Sequence, residues 1–340
     1  MASFAFNFSG DDIDPGSVDS AVQDDTTYEN SDTAAPSVPV QEHSLGEWLR
    51  LLPSHLSYTT TPLTSPSGRT LPLPRRALFD IRAQLMAEDA ESLLTSLTNS
   101  DLSTNVYEGG FKTWECSLDL ASLLLDRGPR KDIDEMSRVA HVVELGAGSA
   151  LPSLVLFQHV LRGEGGTAFT LADYNADVLR LVTVPNLVLM WALMRGEPEM
   201  VGNVEGELEV TAELVARFEE DLRGKGIDIR LLSGPWGQDL LRLMPSTASD
   251  MSTLVLAAET IYSPASLESF VRLLQGILKE GPSHKAYVAA KKFYFGVGGS
   301  VDALKVACRD SGMMAAEVEN SGLPNMDAGI GRAIVEVQMV

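Results

Sequence analysis

Val142-Val143-Glu144-Leu145-Gly146-Ala147-Gly148 decides how the rest of this chain is read. An apolar run of this kind reads as a buried strand. The two glycines then let the backbone turn sharply into a helix and approach a ligand at the carboxyl end of a sheet. Against the dinucleotide fingerprint G-x-G-x-x-G the stretch fails, because Leu151 stands where the third glycine belongs. A pyrophosphate cofactor therefore loses weight. Glu144, just before the first glycine, suits an ammonium group, and Asp173, at the end of the next apolar run, suits two ribose hydroxyls. A zwitterion carried on an adenosine meets both demands, which points to S-adenosylmethionine. A plain strand-to-helix turn in another doubly wound protein is the alternative.

Outward from this turn the apolar segments alternate in type. Residues 139–145 read as a strand, 151–161 as a helix, 167–172 as a strand and 177–195 as a helix interrupted at Pro185, which lacks a backbone donor. Residues 227–232, 254–258 and 286–291 read as further strands, with a helix over 264–279 between the last two. Strand and helix in alternation make a parallel sheet covered on both faces. Residues 315–319 and 333–339 are strands joined without a helix, so they pair antiparallel. The expected fold is α/β, with seven strands, one of them reversed. Residues 196–223 are rich in Glu, fit poorly as a strand or linker, and are read as an inserted acidic loop and helix.

The chain of 340 residues has 44% hydrophobic residues, enough for one large domain with appendages. Residues 1–42 form an acidic tail too poor in bulky apolar groups to offset the entropy of ordering, and disorder is expected there. Residues 43–104 form an extension: a short helix over 45–56, an extended linker around Pro62, Pro66, Pro72 and Pro74, and one or two helices over 77–98. Residues 105–340 form the main domain. Of the formal net charge of −21, −8 falls in residues 1–40, leaving −13 for the rest. This argues against nucleic acid as the main partner and suits a basic protein substrate. Cys116 and Cys308 lack the spacing of a metal or disulfide framework. No apolar run of 18 residues and no secretory start are evident. A soluble intracellular monomer off the membrane is expected.

Four further stretches carry chemistry. Ser233-Gly234-Pro235-Trp236 follows a strand, and Trp236 offers a face to adenine, a core Trp being the duller alternative. Residues 107–117, from Tyr107 through Gly109, Gly110 and Trp114 to Ser117, concentrate glycines and aromatics as in a loop folded over a cofactor, or else an N-terminal cap for a helix over 118–125. Glu259-Thr260-Ile261-Tyr262 lies beyond the strand 254–258, at the sheet edge where ligands bind. It puts a carboxylate and a phenol before an acceptor, or else a capping Glu and a packed Tyr. Residues 293–299, aromatic and then glycine-rich, suit a mobile loop at a substrate mouth or an ordinary turn. The five histidines are scattered without ligand spacing, so no metal site is expected.

Together these stretches resemble the seven-strand methyltransferases, and within them the protein-histidine N-methyltransferases that modify a large-subunit ribosomal protein. Gly109-Gly-Phe-Lys-Thr-Trp-Glu-Cys116, the 143–148 turn, Asp173-Tyr174-Asn175, Thr183-Val-Pro-Asn186, 233–236, 259–262 and Tyr294-Phe-Gly-Val-Gly-Gly299 occur in that family's order. The match covers roughly residue 105 to the end, and the N-terminal Phe4-Ala-Phe-Asn-Phe8 also looks like the family's. The resemblance implies a Rossmann-like sheet of order 3-2-1-4-5-7-6 and methyl transfer to the tele nitrogen of one histidine in the third protein of the large ribosomal subunit, in cytoplasm and nucleus. It implies cofactor contacts at Thr113, Trp114, Glu115, Cys116, Ser117, Gly146, Gly148, Asp173, Tyr174, Asn175, Gly234, Pro235 and Trp236. Ala150 stands where many relatives have a third glycine, and Glu144 replaces the commoner Asp. Glu259 is the candidate to stabilise or deprotonate the cationic ring, and Tyr262 to orient it. Two rival readings stay open: a lysine methyltransferase of the same fold, since Glu-x-x-Tyr resembles that group's signature, and a non-catalytic ribosome-assembly protein.

Overall fold

A computed structural model describes residues 38–95, 108–126, 139–163, 166–246, 251–281, 283–296, 298–319, 323, 326 and 331–340. Most of the acidic tail, and Tyr107, lie outside the described residues. In chain order the elements are β1 (Gln41–His43), α1 (Leu45–Arg50), β2 (His55–Thr64), β3 (Thr70–Arg76), α2 (Leu78–Thr95), α3 (Glu115–Asp126), β4 (Val139–Leu145), α4 (Leu151–Arg162) and β5 (Ala168–Asp173). Then come α5 (Ala176–Arg195), β6 (Glu205–Glu209), α6 (Ala212–Gly224), β7 (Asp228–Ser233), α7 (Gln238–Leu243), β8 (Ser252–Ala258), α8 (Pro264–Leu278), β9 (Lys285–Lys291), α9 (Val301–Asp310), β10 (Met313–Glu317) and β11 (Arg332–Met339).

The main sheet runs β1-β7-β5-β4-β8-β9-β11-β10. Strands β7, β5, β4, β8 and β9 are parallel, and β11 runs against both β9 and β10. The seven expected strands keep the order 3-2-1-4-5-7-6, and β1 adds an eighth, antiparallel, beside β7. The alternation of faces explains the continuous apolar strands. Val142, Leu254 and Leu256 enter one core with Leu120, Leu154, Leu187 and Phe218 from α3, α4, α5 and α6. Val143, Val255 and Ala257 enter the other with Leu240, Phe270 and Leu304 from α7, α8 and α9. Both faces are therefore dry, and the chemistry is confined to the strand ends.

Three expectations are corrected. The proline-rich stretch is a hairpin, β2 and β3, joined by β6 into a second sheet of order β3-β2-β6. Thr60 donates to the Val204 carbonyl on the β6 side, so Pro62 turns its donorless nitrogen the same way, past the end of β6. Opposite, Pro72 and Pro74 turn theirs to the open edge, where a missing N–H costs nothing. The Glu-rich stretch after Gly196 supplies that third strand before continuing as α6. Nor does Pro185 interrupt its helix: α5 widens into a π turn over Leu179–Thr183 and continues. The Leu181 carbonyl, which Pro185 cannot serve, accepts Arg76 Nη1 at 3.0 Å. By length and composition α5 could cross a membrane, but 78% of its most apolar window is buried within the fold.

Candidate active site

The β4–α4 turn is built on strained backbone. Gly146 (φ 70°), Gly148 (φ 50°) and Ala150 (φ 54°) all take left-handed conformations, a region natural for Gly and costly for Ala. The Gly146 and Ala147 amides donate to the Ala172 carbonyl at 2.8 and 2.9 Å, binding the turn to β5. A Cβ on Gly146 would stand 2.7 Å from Thr260 Cγ2, and one on Gly110 2.5 Å from Val178 Cγ2. From beneath, Thr183 Oγ1 donates to the Gly148 carbonyl at 2.7 Å, and Asn186 Nδ2 to the Ser149 carbonyl at 2.9 Å. The sequence alone assigns no role to Thr183 or Asn186. Their position on either side of Pro185, on an otherwise apolar helix, is the available signal.

Asp173 closes β5 with one oxygen accepting from the Gly148 amide (3.0 Å) and the other from Asn175 (3.2 Å). Each oxygen keeps a lone pair for a ligand hydroxyl. Burial raises its carboxyl above the ordinary carboxylate range, against the pull of those amides. Tyr174 beside it is exposed. Glu144 is turned elsewhere: only 1% exposed, its Oε2 accepts from the Ser153 amide at 3.0 Å and closes the start of α4. Burial pushes its carboxyl up to about 8.

Gly234 (φ 126°) donates to the Asp173 carbonyl, and a Cβ there would lie 2.8 Å from Val40 Cα, so the segment entering β1 crosses directly over it. Pro235 is exposed. Trp236 lies beside Gly146 and packs edge-on against Phe270 (5.5 Å between centroids). Trp236 Nε1, Thr260 Oγ1 and Glu259 Oε1 are buried without a hydrogen-bonding partner in the protein. Three orphaned polar atoms beside a glycine turn fit a polar adenosine-type ligand.

The 108–117 segment is a 3-10 turn over Glu108–Phe111, with Phe111 packed against Val178 and Val182, followed by Thr113, Trp114 and helix α3. Glu115, Cys116 and Ser117 thus form the first turn of α3 and only Thr113 and Trp114 precede it, so the looser loop expected through 117 is shortened. Lys291 Nζ lies 5.8 Å from the Trp114 ring centre. Cys116 and Ser117 are buried, and Glu115 joins Asp119 in gripping Arg332, whose Nε meets Asp119 Oδ2 at 2.6 Å.

Glu259, left-handed at φ 58°, is anchored through its amide to the Ala289 carbonyl. Its Oε2 accepts the Tyr294 hydroxyl at 2.5 Å. The Cys116 thiol lies against the same carboxylate, and burial with that charge pushes the thiol far up. Tyr262 is 43% exposed, and its carbonyl accepts from the Gly299 amide at 3.0 Å. The described residues of segment 293–299 are held by backbone bonds: Tyr294 N to Gly299 O, Gly298 N to Tyr294 O and Gly299 N to Tyr262 O, at 2.9 to 3.1 Å. Tyr294, buried and bonded to Glu259, belongs to the site, although the sequence gives it no individual role. Its only signal was a Tyr between two Phe before a glycine run.

Among the described residues, no three His, Cys, Asp or Glu side chains form a metal-binding group. No family model matches the chain. It is 34% identical to Histidine protein methyltransferase 1 of Saccharomyces cerevisiae over 99% of this chain and 98% of that one. With the protein of the same name from Schizosaccharomyces pombe it shares 39% over 78% and 76%. Among solved structures, the mitomycin 7-O-methyltransferase MmcR aligns with 66% of this chain and 54% of its own at 13% identity, with a TM-score of 0.35.

Proposed function

This chain belongs to the histidine protein methyltransferase 1 family, and we propose that it acts as a monomer in cytoplasm and nucleus, using S-adenosylmethionine to methylate the tele nitrogen of one histidine in the third protein of the large ribosomal subunit. One observation carries the chemistry. An acidic, glycine-lined cradle and a carboxylate with one unpaired buried oxygen share a single sheet edge.

When bound, S-adenosylmethionine supplies a methyl group made electrophilic by its sulfonium. Asp173 would take the ribose hydroxyls, Gly146 and Gly148 would give backbone access, and Trp236 would offer its ring to the adenine. Glu144 acts by closing the α4 N-terminus over this floor. Trp114 and Tyr262 border the acceptor ring and keep water from it. As that ring becomes cationic, Glu259 stabilises it and takes the proton of its other nitrogen.

The test incubates the purified protein and methyl-labelled donor with ribosomal proteins from cells lacking it, then hydrolyses the labelled band. Label in 3-methylhistidine of that single protein is the expected result, and label in lysine, or none, would overturn the reading. Glu259→Gln is expected to cut turnover roughly 100-fold with donor affinity unchanged. Normal turnover in that variant would remove Glu259 from the mechanism.

A further inference from the structure

Resting on the reading above, we propose that Tyr294 is the positioning residue that fixes which imidazole nitrogen is methylated, by locking Glu259 into the one orientation that leaves Oε1 for the ring N–H. The direction of its hydroxyl is determined. Tyr294 Oη accepts from the Lys291 amide at 3.3 Å, so its proton goes to Glu259 Oε2 at 2.5 Å. The ring is buried and cannot swing away, because 293–299 is sewn to 259–262 and a Cβ on Gly299 would fall 2.0 Å from the Ile261 carbonyl. Glu259 is held at its other end by Ala289. One carboxylate oxygen is thus satisfied while the other is buried and empty. An unpaired buried acceptor favours whichever bound species brings it a donor.

A neutral imidazole has one N–H and one lone pair. The N–H that meets Oε1 leaves the opposite nitrogen's lone pair facing the donor. That lone pair forms the new C–N bond as the methyl leaves its electron pair on sulfur, and the N–H proton passes to Oε1. Loss of the Tyr294 hydroxyl frees the carboxylate to rotate, so either nitrogen can be presented.

The test compares wild type, Tyr294→Phe, Glu259→Gln and the double variant on the ribosomal protein substrate. The products are resolved into the two methylhistidine isomers. Tyr294→Phe is expected to lower kcat roughly 10- to 100-fold and to release the second isomer. In the Glu259→Gln background the same change should do little further harm. An activity-independent readout is calorimetric titration of imidazole against 1-methylimidazole with S-adenosylhomocysteine present. Wild type should prefer imidazole, and Tyr294→Phe should lose that preference. An unchanged isomer ratio in Tyr294→Phe, or an equal loss in both backgrounds, would overturn the proposal, the latter marking a merely structural role. Absence of methylhistidine with wild type would instead overturn the function reading itself.

Discussion

Glu144 and Glu259 show how position along a strand separates two acidic residues of similar appearance. Both end apolar strands, yet Glu144 is sealed behind a helix N-terminus while Glu259 is bent out by a left-handed backbone that costs on the order of 1 kcal/mol. The sealed residue makes a pH prediction. With a folded value of about 8, above its ordinary value of 4.5, Glu144 contributes stability that is complete below pH 4.5 and is lost as pH rises through 8. Urea midpoints of wild type and Glu144→Gln, taken at pH 5 and 8.5, should therefore shift in favour of the variant at the higher pH. A difference constant across that range would mean the carboxyl is already ionised at pH 5.

At the level of elements, the floor of the donor site depends on one arginine from the small sheet. Arg76 is buried, donates to the Leu181 carbonyl and pairs with Asp80, while its amide donates to Asn186 Oδ1 at 2.7 Å. Asn186 in turn holds the glycine turn. Arg76→Met keeps the amide bond to Asn186 but should cost about 3 kcal/mol by leaving the Leu181 carbonyl and Asp80 without the guanidinium, and should weaken donor affinity by loosening the helix beneath the glycine turn. Denaturant unfolding and calorimetry with S-adenosylmethionine check the two effects, and intact affinity in a destabilised variant would separate the sheet from the site. The sequence was legible where local rules govern. The helix expected over 264–279 is α8, opened by a capping box between Ser263 and Ser266, and the apolar runs announced β4, β5, β8 and β9. It was opaque where distant partners decide. The prolines look like breakers because nothing local says that their nitrogens face an open edge, and Pro185 looks like a break because the donor that replaces its N–H comes from Arg76. In the site, Asp173 and the glycines stood out by residue type and position, whereas Tyr294 gained meaning only when the fold carried it to Glu259.

Across the whole molecule the formal charge of −21 sets a long-range field. Such a field accelerates encounter with a basic partner and is screened over about 10 Å at 0.1 M salt. For a ribosomal protein substrate, kcat/KM should fall roughly tenfold between 50 and 300 mM NaCl while kcat holds nearly constant. A salt-independent kcat/KM would mean that the charge plays no part in recruitment. The Arg76–Leu181 contact acts on the same scale in another way, because its partners lie 105 residues apart. Closing so long a loop is entropically slow to be rewarded, and contacts of high sequence separation delay folding. The helix beneath the glycine turn cannot be completed from its own neighbourhood. A nascent or refolding chain therefore gains its donor pocket only when the N-terminal hairpin docks, so competence for catalysis arrives as a late, global event.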